Sequence, residues 1–574
     1  MRNTFFFQFT RNISAVFVLF SLIAFYCVSV QGDDDTEEGW ENTVEVTKTV
    51  DNDDIEEKVD SGPVKIAQED SGNKGIVWGK SKKAKELEKN DEAKKTDKTA
   101  SLDKSKESAP KPLVNIDEEQ GENLKQAEKT MVRRPVSATP LPEKSIAAKQ
   151  SEAAPGERFL LKSNRKKGST DLVETLLEVT GDVKELDNEQ KAKSDKMEVV
   201  AGFRYEERVD RFSLSTDSLV SVRQYNLAKA KMKIADDIKT PELDDKLQTI
   251  VCRLEGDKVS LFSPKGSLRG EQLLLIEDLP GNTLTLDRLL PNKEVKIGDS
   301  WKVSDSVLRS FLSVDSINES SVEAVLTAVA DNMAMVEVVG DINAMYLGAS
   351  TEMSVRAKYQ FDLESKRINW LGLLIEENRS IGHVGPGLDL VARLQVKISP
   401  IEGPQSLTGD FLDTVNLTPN DTVMQLKYDG GKGPWRFSHG RDWYVYQDDP
   451  QTTIIRKLHN NELVAQCNVA DMGKVDPKTM TTLDKFQKDL ETGLGKSFGK
   501  IVAAEQREHK NGYKIYTVLI DGVVEELALR WIYNLMTDKN GQQVVVVFVV
   551  EADMLEQFAD ADEVLLETFK IGKK

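Results

Sequence analysis

The stretch Gln542-Gln-Val-Val-Val-Val-Phe-Val-Val550 decides how the C-terminal third of this 574-residue chain is read. A short β-branched run between Asn540-Gly541 and Glu551-Ala-Asp553 fits a central strand covered on both faces. Before it, Leu527 to Asp538 reads as a neighbouring strand. Ile501–Glu508 and Tyr513–Ile520 read as a hairpin joined at Asn511-Gly512. Thr481 or Thr482 can cap a helix whose Leu483, Phe486, Leu490 and Leu494 recur on one side. A closing helix is expected from Asp560, with Glu563 completing a capping box and Val564, Leu565, Thr568 and Phe569 facing the sheet. Strands carrying Phe437, Trp443–Tyr446, Thr452–Leu458 and Leu463–Val469 precede these elements. Residues 435–574 are therefore expected to be α+β: an antiparallel sheet with helices returning onto it.

These carriers, from the Phe437 to Trp443 pair to the Phe569 helix, resemble the PsbP-like α/β/α sandwich superfamily, which includes small periplasmic DcrB-like proteins and nuclear-import factors. Where family members often have a proline ahead of the opening tryptophan, this chain has His439-Gly-Arg-Asp442. The resemblance implies a non-enzymatic domain that docks to other proteins, and it brings no catalytic set.

Upstream, residues 156–400 read as β-rich. Met353, Val355, Ala357, Tyr359 and Phe361 are apolar at every second position, which turns one strand face inward. The chain turns at Glu364-Ser-Lys366 and resumes at Ile368–Ile375. Asp331-Asn332 suits a tight hairpin. Successive hairpins predict an antiparallel β-sandwich or open barrel. Pro291, Val295, Gly298, Asp299 and Trp301 resemble a pattern of secreted bacterial β-rich domains of unknown function. Glycine and proline between residues 401 and 434 predict a linker that hinges the two folded parts.

Residues 1–32 begin with Arg2 and Arg11, continue apolar from Ile13, and end on a small residue before Asp33, the pattern of a secretory signal peptide. The expected location is secreted or periplasmic; a leader left uncleaved becomes a membrane tether. Residues 33–155 are so charged that a disordered spacer is expected. A net charge of −19 argues against nucleic acid as a partner. Cys27 belongs to the leader, and Cys252 and Cys467 read as separate buried thiols.

No pattern in the sequence carries catalysis. Gly493-Leu-Gly-Lys-Ser497 has Leu490 where a phosphate loop needs its first glycine, so it reads as a helix terminus. The four histidines and two mature cysteines form no close-spaced ligand pairs, and no Gly-x-Ser-x-Gly elbow leads from a strand into a helix. The expectation is an exported, non-catalytic protein without metal or cofactor that docks to a protein of the cell envelope through its C-terminal domain, residues 435–574. The candidate docking loops are His439, Gly440, Arg441 and Asp442, and the Gly382–Gly387 loop with His383. One alternative is a carrier with an apolar cavity near Trp301, Trp370 and Tyr359. The other is an unrecognised hydrolase.

Overall fold

The computed structural model describes residue 154 and residues 156–572, apart from 187–191, 214–217, 430 and 477–479. The expected signal peptide, 1–32, and the expected spacer, 33–155 save residue 154, lie outside the described residues. Everything described belongs to one compact unit.

Twelve strands make up most of the N-terminal part. They are β1 Thr170–Leu186, β2 Ala192–Ser213, β3 Ser218–Ile234, β4 Thr249–Glu255 and β5 Lys258–Phe262. After these come β6 Ser300–Lys302, β7 Ser316–Ser320, β8 Glu323–Ala330, β9 Met333–Tyr346, β10 Ala349–Asp362, β11 Arg367–Arg379 and β12 Gly387–Pro400. With the short strand Asp237–Lys239 they form one 13-stranded sheet, ordered β5-β4-β3-β2-β1-β12-β11-β10-β9-β8-β6, with β7 also paired to β9. The expected β-rich antiparallel architecture is present, as a sheet whose two ends do not meet. Asp331 and Asn332 turn the β8–β9 hairpin with φ of 50° and 61°, the left-handed backbone that a two-residue turn of this hand requires.

Alternation fixes which face is inner. Val336, Tyr359, Leu371 and Val396 stand in register across β9 to β12, as do Val338, Ala357, Leu373 and Leu394. All eight are buried in one core. Helices α1 Gly270–Glu277, α2 Thr283–Leu286 and α3 Asp305–Leu312 add Leu273, Ile276, Leu284, Leu286, Leu308 and Phe311 to it. Each buried leucine contributes about 1.5–3 kcal/mol. Contact is close enough that a Cβ on Gly281, where φ is +75°, would lie 2.8 Å from the Leu394 side chain.

A buried ionic network pins the start of α2. Glu207 is fully buried and accepts from Arg165 Nη2 (2.5 Å), Ser221 Oγ (2.8 Å), Arg223 Nε (2.9 Å) and Thr283 Oγ1 (2.7 Å). Arg223 Nη2 donates to Asn282 Oδ1 at 2.6 Å, and that oxygen also caps α2 at the Leu284 N–H. Burial alone opposes charge on Glu207. The Arg223 and Arg165 guanidiniums outweigh it and hold the carboxyl well below the usual carboxylate range.

The three aromatics expected around a cavity fall on two faces of the sheet. Trp301 Nε1 donates to the Leu289 carbonyl at 3.0 Å, and the Tyr359 hydroxyl donates to the same oxygen at 3.4 Å. Trp370 stands opposite Gln360, the neighbour of Tyr359, and so occupies the other face of the sheet. The three aromatics line no common space, because adjacent strand residues point to opposite faces.

The expected hinge at 401–434 is tied down as a strap. Glu206 accepts the N–H groups of Gln405, Ser406 and Leu407 at 2.7–3.3 Å, and Arg253 Nη1 donates to the Leu417 carbonyl at 3.2 Å. Two short helices, α4 Gly409–Asp413 and α5 Asp421–Met424, are capped by Thr408 and Asn420. Val423 completes an apolar cluster with Val220, Val251 and Phe262 on the outer face of β3 to β5.

The C-terminal part contains β13 Trp435–His439, β14 Trp443–Asp448, β15 Thr452–His459, β16 Glu462–Lys474, β17 Phe498–Glu508, β18 Lys514–Val524, β19 Leu527–Thr537 and β20 Gln542–Glu551. Seven form an antiparallel sheet, β14-β15-β16-β20-β19-β18-β17, with β20 in the middle. Val545, Val547 and Val549 pack with Phe486, Leu490 and Leu494 of α6, Leu483–Leu494, which Thr482 caps. Val544, Val546, Phe548 and Val550 pack on the other face with α7, Leu555–Phe558, and α8, Ala561–Thr568. The α8 stripe differs from expectation. Val564 is 39% exposed and Leu566 is buried, because Leu565, Leu566 and Phe569 span one side of the turn and Val564 falls on the opposite side. Asp560 precedes the helix without a side-chain cap bond.

Candidate functional site

Both expected docking loops lie along the seam between the two folded parts. His439 is 3% exposed, and its Nδ1 lies 2.8 Å from the Gly440 carbonyl. Burial pushes its imidazole pKa down. Arg441 donates to the Met424 carbonyl (3.0 Å) and the Leu261 carbonyl (2.6 Å), and lies 3.5 Å from the Glu277 carboxylate. Asp442 pairs with Lys457. A Cβ on Gly440 would sit 2.5 Å from Asp442 Oδ1, which keeps this corner tight.

His383 is half-buried, and burial, then Arg456, push its pKa down. Its carbonyl accepts from Arg456 Nη1 at 2.5 Å. Gly348 N–H donates to Asn461 Oδ1 at 3.1 Å, and Leu347 and Val384 pack against the C-terminal core. These contacts join both loops to the neighbouring part of the same chain. Sequence showed where the loops fall, but not which surface lies opposite them.

A different feature is open to solvent. The outer face of β9 to β12 forms a groove of about 550 Å³ that carries the carboxylates of Glu319, Asp341, Glu352, Glu376 and Asp389, with no lysine or arginine in its lining; Glu377 borders it through its backbone, since it stands in register with Met353 and Leu390 on the inner face. Register assembles it. Asp341, Ser354, Glu376 and Val391 form one cross-strand row, and Asn343, Glu352, Asn378 and Asp389 the next. Ser354 Oγ donates to Asp341 Oδ1 at 2.5 Å, and Thr351 Oγ1 and Arg379 Nε hold Glu377 at 2.8 and 2.7 Å. Lys184 approaches Asp389 at 3.6 Å. Sequence gave no sign of the groove, since its acids are scattered from 319 to 389 in a chain acidic throughout.

Cys252 and Cys467 are buried free thiols. Among the described residues no group of three or more His, Cys, Asp or Glu side chains has the arrangement of a metal site. No described helix is long and apolar enough to cross a membrane.

No family model and no curated protein matches the chain. Among solved structures it has a weak likeness to cyanobacterial PsbP (CyanoP) from Synechocystis sp. PCC 6803, at 14% identity over 27% of this chain and 96% of that one, TM-score 0.22. It is also similar to OccAB4 of Acinetobacter baumannii (10% identity, 67% and 98% covered, TM-score 0.10) and OprB of Pseudomonas putida (8%, 67% and 92%, TM-score 0.10). Likenesses this slight carry no argument about activity.

Proposed function

We propose that the protein is an exported, non-catalytic docking protein whose acidic groove on the large sheet receives a basic segment of a protein partner in the envelope. The observation that carries this reading is the groove itself, where Glu319, Asp341, Glu352, Glu376 and Asp389 share one face, with Lys184 beside Asp389 at 3.6 Å. A concave surface of one sign focuses the field and steers an oppositely charged partner toward it. The loops His439–Asp442 and His383 make contacts within the chain, whereas the groove face is open, which supports docking there. Export rests on the apolar leader. We also propose that residues 435–574 are a PsbP-like domain, supported by a seven-stranded antiparallel sheet with α6 on one face and α7 and α8 on the other.

Calorimetric titration of the full chain with a lysine decapeptide at low and high salt tests the docking reading. Replacing Asp341 by Asn and both Glu352 and Glu376 by Gln removes three groove charges. At about 0.5–1 kcal/mol for each exposed charge, affinity should fall about tenfold or more, and added salt should weaken the wild-type complex. Equal binding by the triple variant overturns the groove as the docking surface. Export is tested separately, by whether residues 1–32 direct a reporter protein out of the cytoplasm.

A further inference from the structure

The C-terminal sheet ends on an open strand. β17 pairs with β18 along one side and with no other described strand. Seven of its eleven residues are exposed, from Gly499 and Lys500 through Val502 to Glu508, so no other element covers it. A free strand edge is a template for pairing, and elsewhere this chain closes its edges. On β5, at one end of the large sheet, Leu261 gives its N–H to Glu277 and its carbonyl to Arg441. On β14, at the other end of the C-terminal sheet, a bulge follows Val445.

The hairpin turn settles which backbone groups of β17 face the open side. His509 N–H donates to the Tyr513 carbonyl and the His509 carbonyl accepts the Gly512 N–H, both at 2.8 Å, so His509 turns its backbone toward β18. Backbone direction alternates along an antiparallel strand. Arg507 and Glu505 therefore face β18 as well, while Glu508, Gln506 and Ala504 point their N–H and C=O groups outward. Among the described residues no hydrogen bond reaches these three from the outward side. Both bulges of the strand lie earlier, between Phe498 and Lys500 and between Ile501 and Ala503, which leaves residues 503–508 as a regular run.

The order of residues makes this run complementary to itself. A two-fold axis through Gln506 sets Gln506 against its own copy, Ala504 against Glu508 of a second copy, and Glu505 against Arg507 of that copy. The outward-facing residues then meet as hydrogen-bonded pairs. Glu505 and Arg507 meet as the closer, non-hydrogen-bonded pairs, with Cα atoms about 4.5 Å apart and opposite charges on both sides of the axis. Both side chains lie on the α8 face, where Arg507 Nη1 is held by Glu563 at 2.8 Å and Glu505 is exposed. An axis at Ala504 would set Arg507 against Ile501, and one at Glu508 would carry Glu505 to Asn511 in the turn, so neither forms these ion pairs.

We propose that β17 is a self-association edge: two copies of the chain pair antiparallel through residues 503–509 about Gln506, and their C-terminal sheets become one. A ladder of this length buries little area, so the dimer should form at micromolar rather than nanomolar concentration.

Sedimentation velocity of the full chain over about a hundredfold range of micromolar concentration tests the pairing. The mass should rise from monomer to dimer, and hydrogen–deuterium exchange in the peptide Ala503–His509 should slow with it while β20 stays constant. Gln506→Pro removes an N–H that bonds nothing within the chain, and proline is accepted where a strand N–H faces outward. Glu505→Arg changes an exposed side chain and sets like charges against each other on both sides of the axis. Each should weaken dimerisation about tenfold or more. A chain that stays monomeric throughout overturns the proposal, as does a dimer that either substitution leaves at wild-type strength. Should Gln506→Pro lose its sheet by circular dichroism, Glu505→Arg alone decides in the same way.

Discussion

Replacing Glu207 by Gln tests whether the buried ionic network holds the helices against the large sheet. Glu207 has no exposure to water and accepts four hydrogen bonds, two from guanidiniums. Glutamine keeps the volume but removes the carboxylate that bridges Arg165 and Arg223, leaving Arg165 with Asp171 at 3.7 Å, and turns an amide N–H₂ toward donors. Removing one partner of a buried ion pair costs about 3–5 kcal/mol, because the charges left behind have no water to return to. The pH dependence has a definite sign. The folded carboxyl lies below its ordinary value, so its contribution is fully present above about pH 4.5 and is lost as pH falls. The variant should therefore be less stable at pH 7 and lose less on acidification. Equilibrium urea unfolding at pH 7 and pH 4, with β2 and β3 amides followed by hydrogen exchange, measures both quantities. A loss below about 1 kcal/mol at pH 7, or an unchanged acid limb, refutes the reasoning.

Two further substitutions probe packing. Val546→Ala in the central strand β20 removes two methyl groups from a residue with no exposure and should cost about 2–3 kcal/mol, read as a lower urea midpoint for the C-terminal sheet. Gly340→Ala in β9 would put a Cβ 2.5 Å from the Val322 Cα and 2.7 Å from the Ser321 carbonyl, both backbone atoms. It should cost about 1–3 kcal/mol and raise exchange where β7 passes into β8.

The sequence by itself determined the local structure wherever a repeating pattern meets a single demand. Valines at 544–550 leave no polar face for water, so a two-sided strand follows from composition alone, and β20 lies at the middle of its sheet. Alternation from Met353 to Phe361 determined an inner face, and Thr482 with the Leu483–Leu494 stripe determined a helix and its buried side. Long-range partnership was decided by tertiary structure. The closing helix shows this on a small scale: Val564 and Leu566 are equally apolar, and only the angle at which α8 meets the sheet selects Leu566. The strap shows it on a larger scale, since the Glu206 carboxylate that fastens Gln405–Leu407 lies some two hundred positions earlier. The groove and the seam have the same origin. Hairpin register brings Asp341, Glu352, Glu376 and Asp389 onto one surface, and the packing of two sheets sets Arg441 against Glu277. Local propensity acts over a few residues, whereas charges scattered along the chain become a site only when folding sets the distances between them.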